Sequence, residues 1–264
     1  MTFTEADFEN SIIELFQKNL GYTYAYGPDI RRDYHNPLYE EQILPALETI
    51  NPTLPQAALE EAVSKLKSIG TGTLIQKNSV FTDYLQNGIS VKYYDGTEER
   101  STLVSLIDYQ NVNNNTFHVI NQWTVVDEVE KRPDIVIFVN GLPLVVIELK
   151  SPPSREETDV SEAYRQLRNY MHDITSLFVY NAFCVMSDHA TSKAGTITAD
   201  EDWYMEWKST DGSYENTKYA AFDVLFEGMF EKNRFLDILK HFICYSREIP
   251  NDKKILGAIT STSP

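Results

Sequence analysis

Residues 132 to 150 read RPDIVIFVNGLPLVVIELK, and this stretch constrains the fold more than any other. IVIFV and LPLVVI have no polar position on either face, so both are central strands of a sheet covered on both sides by helices. Asn140-Gly141 between them is a strong signal for a two-residue hairpin. Acids and a lysine stand at the margins of this apolar pair: Asp134 before the first strand, Glu148 and Lys150 at the end of the second. An antiparallel hairpin brings those ends together, so the charged groups converge.

Side chains alternate along a strand, so Glu148 and Lys150 share one face while Leu149 points to the other and leaves its carbonyl available. Two carboxylates and a carbonyl form a hard oxygen set suited to Mg²⁺ or Mn²⁺, ions that keep waters and take phosphate oxygens as further ligands. A lysine beside such a site can orient water or offset charge developing on phosphorus. The chemistry implied is phosphodiester hydrolysis.

Register decides whether that site can exist. A plain two-residue loop pairs Val139 with Leu142, which sets Asp134 against Ile147 and turns it away from Glu148. One extra residue, from a three-residue loop Asn140-Gly141-Leu142 or from a β-bulge in either strand, places Asp134 opposite Glu148. Pro143 cannot donate to a ladder, which favours irregular pairing near the turn.

The rest of the chain supplies the covering layers. TEADFENSIIELFQKNLGY begins with Thr4 and Asp7 in capping-box spacing, aligns Phe8, Ile12, Leu15 and Phe16, and stops at Gly21. YEEQILPALETI and LPQAALEEAVSKLKSI are two more helices, completing a helical region over about residues 1–70. ISVKYYD, RSTLVSLIDY, TFHVINQWTVVD and LFVYNAFCVMS have strand composition, giving a sheet core over about 80–190. TDVSEAYRQLRNYMHD returns to helical spacing, with Asp159 and Glu162 in cap-like positions and Val160, Ala163, Tyr164, Leu167 and Met171 as its stripe. Gln166 and Tyr170 are four apart and project from one side. AAFDVLFEGMFEKNRFLDILKHFICY reads as closing helices over about 217–246, and GAITSTSP as a frayed end. The expectation is one α/β domain over residues 1–250 with a mixed central sheet, and a flexible tail over 251–264.

Composition excludes several classes. The net charge of −16 argues against strong nonspecific nucleic-acid binding by this chain alone. Cys184 and Cys244 lie in apolar surroundings without metal-ligand spacing and are expected to be packed thiols. His35, His118, His172, His189 and His241 are scattered. The aromatic run GYTYAYG is read as packing or capping, DEVEKR as a solvated turn, and SDHATSKAG, with Lys193, as a polar loop. With no secretory-type leader and no apolar run near eighteen residues, the expectation is a cytoplasmic protein without a membrane span.

At Asp134, Glu148 and Lys150 the chain resembles the PD-(D/E)XK nuclease superfamily, and specifically the N-terminal nuclease segment of the R subunit of type I restriction enzymes. The resemblance extends in order through GISVKYYDG, LIDYQNVNNNTFHVINQW, RPDIVIFVNGLPLVVIELKSP, EAYRQLRNYMHDI with its QxxxY element, and LFVYNAFCVMSD. It implies a restriction-endonuclease-like core in which Asp134, Glu148 and the Leu149 carbonyl bind the divalent ion and Lys150 completes the catalytic set. Gln166 and Tyr170 would support DNA handling, with a first-helix glutamate, Glu9 in preference to Glu5, joining the site. The implied partners are double-stranded DNA, methylase and specificity subunits, and ATP-driven motor domains later in the same polypeptide, ATP entering only through that motor. These residues contain no GxxxxGK[ST] loop, so the expectation is a piece of a longer chain. A non-catalytic docking module of the same complex, or a stand-alone repair or defence nuclease, are the alternatives.

Overall fold

The computed structural model describes residues 4–150, 160–188, 190–208, 221–248 and 251–256. Helix α1 (Glu5–Lys18) begins at the Thr4 capping box, with Thr4 Oγ1 accepting from the Asp7 amide and the Asp7 carboxylate from the Thr4 amide. It buries Phe8, Ile12, Ile13, Leu15 and Phe16. Strand β1 (Thr23–Tyr26) follows, then α2 (Glu40–Ile50), α3 (Gln56–Lys67) and α4 (Leu74–Asn87). The helical expectation ended near residue 70 and missed α4. Its signal was nevertheless local, a second capping box from Thr73 to Gln76 and a positive-φ Gly88 at the C-cap.

The remaining elements are β2 (Ile89–Tyr94), β3 (Glu99–Val104), β4 (Phe117–Asn121), β5 (Val125–Val126), β6 (Glu130–Lys131), β7 (Ile135–Val139), β8 (Leu142–Leu149), α5 (Val160–Asp173), α6 (Thr175–Val179), β9 (Phe183–Ser187), β10 (Ser192–Gly195), β11 (Met205–Glu206), α7 (Ala221–Phe230), α8 (Lys232–His241), β12 (Ile243–Glu248) and β13 (Asn251–Leu256). Seven strands form one mixed sheet in the order β1-β4-β7-β8-β9-β10-β11, with β1 parallel to β4, β8 parallel to β9, and the other neighbours antiparallel. The fold is the expected α/β arrangement, a central mixed sheet flanked by helices.

Both faces of the sheet are covered, which is why β7 and β8 carry no polar residue before Glu148. Ile135, Ile137 and Val139 join the larger core with α1, α3, α4, α7 and α8. Val136, Phe138 and Val146 face the second core, where α5 packs Val160, Ala163, Leu167 and Met171. Each fully buried aliphatic side chain in these strands contributes roughly 1.5–3 kcal/mol.

Several expectations need correction. LFVYNAFCVMS is not one strand: its first half is α6, and Tyr180 to Ala182 turn the chain into β9. RSTLVSLIDY leaves the strand conformation after Val104, and TFHVINQWTVVD breaks at Gln122, whose φ is 55°. The aromatic run GYTYAYG supplies β1, an edge strand. Residues 251–256, expected in a tail, form β13 and pair with β12 from Ile243 through Glu248. Cys184 is buried as expected, whereas Cys244 is exposed. Alternation along β12 turns one side chain inward and the next outward, and apolar neighbours in sequence do not override that geometry. Asp159, His189 and the end GAITSTSP lie outside the described residues.

Candidate active site

The hairpin turn is a two-residue loop with both central residues in the left-handed region, Asn140 at φ 53° and Gly141 at φ 81°. That is the backbone a type I′ turn requires and the reason for Asn-Gly. Val139 pairs with Leu142 and Phe138 with Pro143, but Ile137 pairs with Val145, so Leu144 is an extra residue in β8. Leu144 and Val145 consequently face the same core. Beyond the bulge the parity of β8 is reversed. Ile135 stands opposite Ile147, and Asp134 and Glu148 come to the same α5-facing side.

The two acids are held differently. Asp134 Oδ2 accepts from the backbone N–H of Leu149 at 2.8 Å. Glu148 is 2% exposed; its Oε1 accepts from Lys150 Nζ at 2.6 Å, and its Oε2 is buried without a hydrogen-bond partner. Lys150 also donates to the Leu149 carbonyl at 3.1 Å. Burial pushes the Asp134 carboxyl up to about 6, against the Leu149 amide and the Lys150 charge, which pull it down. Burial, then repulsion from Asp134, pushes Glu148 up to about 8. Burial disfavours the Lys150 ammonium, but Glu148 and Asp134 outweigh it and hold that lysine above its ordinary value. Fully ionised, the two acids would carry more negative charge than Lys150 offsets, and together with burial this makes both carboxyls hold their protons to higher pH.

Helix α5 closes the wall. Tyr170 is buried, and burial together with the charge of Glu148 holds its phenol well above the usual tyrosine range. Gln166, one turn earlier, lies within reach of that phenol. Both line an open cleft of about 370 Å³ shared with Gln122, Glu130, Lys131 and Arg132.

The first-helix acids divide their roles. Glu9 accepts from Asn121 Nδ2 at 2.6 Å and from Gln122 Nε2 at 3.5 Å, which ties α1 to the end of β4. Burial raises its pKa. Glu5 repels both Asp134 and Glu148 and acts on Lys150. The structure thus gives Glu5 a stronger electrostatic connection to the trio than the preference for Glu9 implied. Asn121, Gln122, Lys131 and Arg132 also border the site and were not anticipated; the φ of Gln122 and the pairing of β5 with β6 place them, and neither has a strong local signal.

Among the described residues no group of three or more His, Cys, Asp and Glu side chains is arranged to hold a metal. Two carboxylates, the unpartnered Glu148 Oε2 and the Leu149 carbonyl still fit a hard divalent ion that completes its shell with water and phosphate. Likewise among the described residues, no helix is long and apolar enough to cross a membrane.

The family model described as "Type I restriction enzyme R protein N terminus" matches residues 2–203. The chain is 32% identical over 257 residues to the type I restriction enzyme HindI endonuclease subunit of Haemophilus influenzae, covering 92% of this chain and 24% of that relative. It is 28% identical over 267 residues to the putative type I restriction enzyme MjaIXP endonuclease subunit of Methanocaldococcus jannaschii, covering 91% of this chain and 25% of the relative. The chain spans about a quarter of the length of these curated relatives. The matched span includes the bulged hairpin, the three charged residues at its open end and the α5 wall, and the chain belongs to the family of type I restriction enzyme R protein N-terminal regions.

Proposed function

We propose that this chain is the DNA-cleaving domain of a type I restriction enzyme R subunit, a Mg²⁺- or Mn²⁺-dependent endonuclease that hydrolyses phosphodiester bonds of unmodified double-stranded DNA. The observation that carries the reading is the bulge at Leu144, which turns Asp134 and Glu148 to one face against the regular register of the hairpin. Burying two adjacent carboxylates costs stability unless a cation joins them, so the arrangement suits a bound metal better than a purely structural role.

Asp134, Glu148 and the Leu149 carbonyl would hold the ion, which when bound would polarise a phosphate oxygen and lower the pKa of a coordinated water. Lys150 keeps a compact positive charge at the two acids, suited to stabilising charge that develops on phosphorus. Tyr170 and Gln166 form the wall along which the nucleic-acid backbone lies. The relatives are named as endonuclease subunits and are about four times as long, which supports a motor in the same polypeptide and methylase and specificity subunits as partners. An overall charge of −16 agrees with most DNA affinity residing in those other parts.

Calorimetric titration with Mn²⁺ tests the site. Wild type should bind one ion, and Asp134→Ala and Glu148→Ala should each abolish the heat. Unchanged affinity in both variants would remove the metal site and the nuclease reading with it.

A further inference from the structure

The cleft beside the carboxylates contains two cations to which the hydrolytic trio gives no role. Lys131 ends β6, and Arg132 precedes Pro133, a buried residue whose ring fixes φ and leaves little freedom in the approach to Asp134. Lys131 Nζ meets Asp173 Oδ2 of α5 at 3.1 Å, and Arg132 meets Glu130 Oε1 through one guanidinium nitrogen at 3.1 Å. The Arg132 pair is about half exposed on both sides, so it is weak and easily exchanged for a stronger anion. A guanidinium fork matches phosphate oxygens in pairs, which a single carboxylate contact does not exhaust.

Three further features point to an anionic chain in this cleft. Gln122 holds a left-handed backbone rare for a residue with a side chain, its amide donating to the Asp134 carbonyl while its side chain lines the cleft. Strained positions of this kind concentrate at ligand clamps. Gln166 lines the cleft from α5, so two amide side chains accompany the two cations. Finally, Tyr170 is a wall of the cleft, and the Gln122 backbone amide that donates to the Asp134 carbonyl sets the cleft beside the backbone of that acid. When ionised, Glu5, Glu9, Asp134 and Glu148 disfavour a phosphodiester beside them, and Lys131 and Arg132 add to the offset that Lys150 gives.

We infer that Lys131 and Arg132 form a phosphate subsite, holding a backbone phosphate that neighbours the one presented to Asp134 and Glu148, with Gln122 and Gln166 donating to the same strand. The inference rests on the nuclease reading and adds a substrate-positioning element to it. A strand carries a phosphate about every 3.4 Å of axis, and two residues span at most about 7 Å. Arg132 is therefore close enough to Asp134 for the two to meet the same strand, and the subsite assigns it a phosphate adjacent to the scissile one.

The test is an amide-resolved NMR titration of the ¹⁵N-labelled chain with a 5′-phosphorylated thymidine tetranucleotide, at low ionic strength and without divalent ions, so that nothing is cleaved. Saturable shifts should map to Gln122, Lys131, Arg132 and Gln166. Arg132→Gln and Lys131→Gln should each weaken binding about fivefold to tenfold and lower the slope of log affinity against log salt by about 1, while Lys92→Gln should change neither. The same spectra show whether each variant is folded. Absent shifts, shifts confined elsewhere, or unaltered affinity in both cleft variants would overturn the subsite. Mn²⁺ added to a parallel sample separates this from the parent reading by its paramagnetic broadening. Broadening at Asp134 and Glu148 without tetranucleotide shifts in the cleft removes the subsite alone; cleft shifts without that broadening support a nucleotide-binding cleft and remove the metal-dependent nuclease.

Discussion

Leu149 donates its backbone N–H to Oδ2 of Asp134 at 2.8 Å, tying the exit of β8 to the entry of β7 at the level of the charged groups. With Leu144 in the chain, the contact depends on its standing as an extra residue in β8. Deleting Leu144 should give regular pairing in which Ile137 still meets Val145 and Asp134 still stands opposite Glu148, so a folded deletion variant should keep Mn²⁺ binding. Because Leu144 is fully buried, the deletion should also lower stability, by roughly 3 kcal/mol. Circular dichroism and Mn²⁺ calorimetry on the same sample check this; lost metal affinity in a folded deletion variant would mean that placing the two acids opposite each other does not assemble the site.

The turn itself has no room for a side chain at its second position. A Cβ on Gly141 would stand 2.6 Å from the Tyr39 carbonyl oxygen, and φ is 81°. Gly141→Ala should destabilise the protein by about 1–3 kcal/mol in urea unfolding, from backbone strain and the clash together. An unchanged midpoint would show that α2 yields to accommodate the methyl.

Glu148→Gln should separate stability from metal binding. Both Asp134 and Glu148 have folded pKa values above their ordinary ones, about 6 and about 8. The folded state therefore holds protons that the unfolded chain has released, and the metal-free protein loses stability as pH rises from about 4 through 8. The glutamine removes the Glu148 share of that loss, so the variant should be more stable than wild type at pH 8 by about 1–3 kcal/mol, with Mn²⁺ binding gone. Denaturant melts at pH 5 and pH 8 test the sign, and a variant less stable at pH 8 contradicts it.

Lys150 is 17% exposed in its side chain and offsets Glu148 directly at 2.6 Å. On the proposed reading, Lys150→Ala should reduce DNA cleavage by the full assembly by about 10²-fold or more, with Lys150→Arg failing similarly, since a planar fork does not replace a compact ammonium. Nicking of circular DNA gives the rate. Cleavage near the wild-type rate would exclude Lys150 from the chemistry.

Lys254 supplies a second pH-dependent element, away from the candidate site. It is 3% exposed on β13, and its Nζ donates to Asn78 Oδ1 and the Asn181 carbonyl at 2.8 Å each, with no acidic side chain paired to it among the described residues. Burial brings its pKa down to about 7. Here the unfolded chain binds the extra proton, so the Lys254 contribution to stability rises with pH above 7, with a limiting slope of about 1.4 kcal/mol per pH unit. Asp134 and Glu148 act in the opposite direction, and only a comparison isolates the lysine. The stability difference between wild type and Lys254→Met should shift in favour of wild type between pH 7 and pH 8.5; a constant difference would mean that Lys254 stays charged in its buried position.

What the sequence determined by itself is local. The two-faced apolar runs required central strands, Asn140-Gly141 required a left-handed turn, and the Thr4 capping box began α1 where its spacing indicates, each through contacts within a few residues. Thr73 and Gln76 carried equally local information about α4. The convergence of Asp134, Glu148 and Lys150 at one end of the hairpin was legible for the same reason, because a tight turn returns the chain beside itself. Which face each acid occupies was decided only by tertiary structure. Pro143 permits irregular pairing, but the bulge at Leu144 arises where two packed faces must both be satisfied, one by Leu144 and Val145 and the other by Val146 against α5. The relative standing of Glu5 and Glu9, the burial that raises both carboxyls, and the cleft of Gln122, Arg132 and Gln166 likewise depend on segments far apart in the chain, whose meeting is set by packing of the two cores and by no periodicity within any one segment.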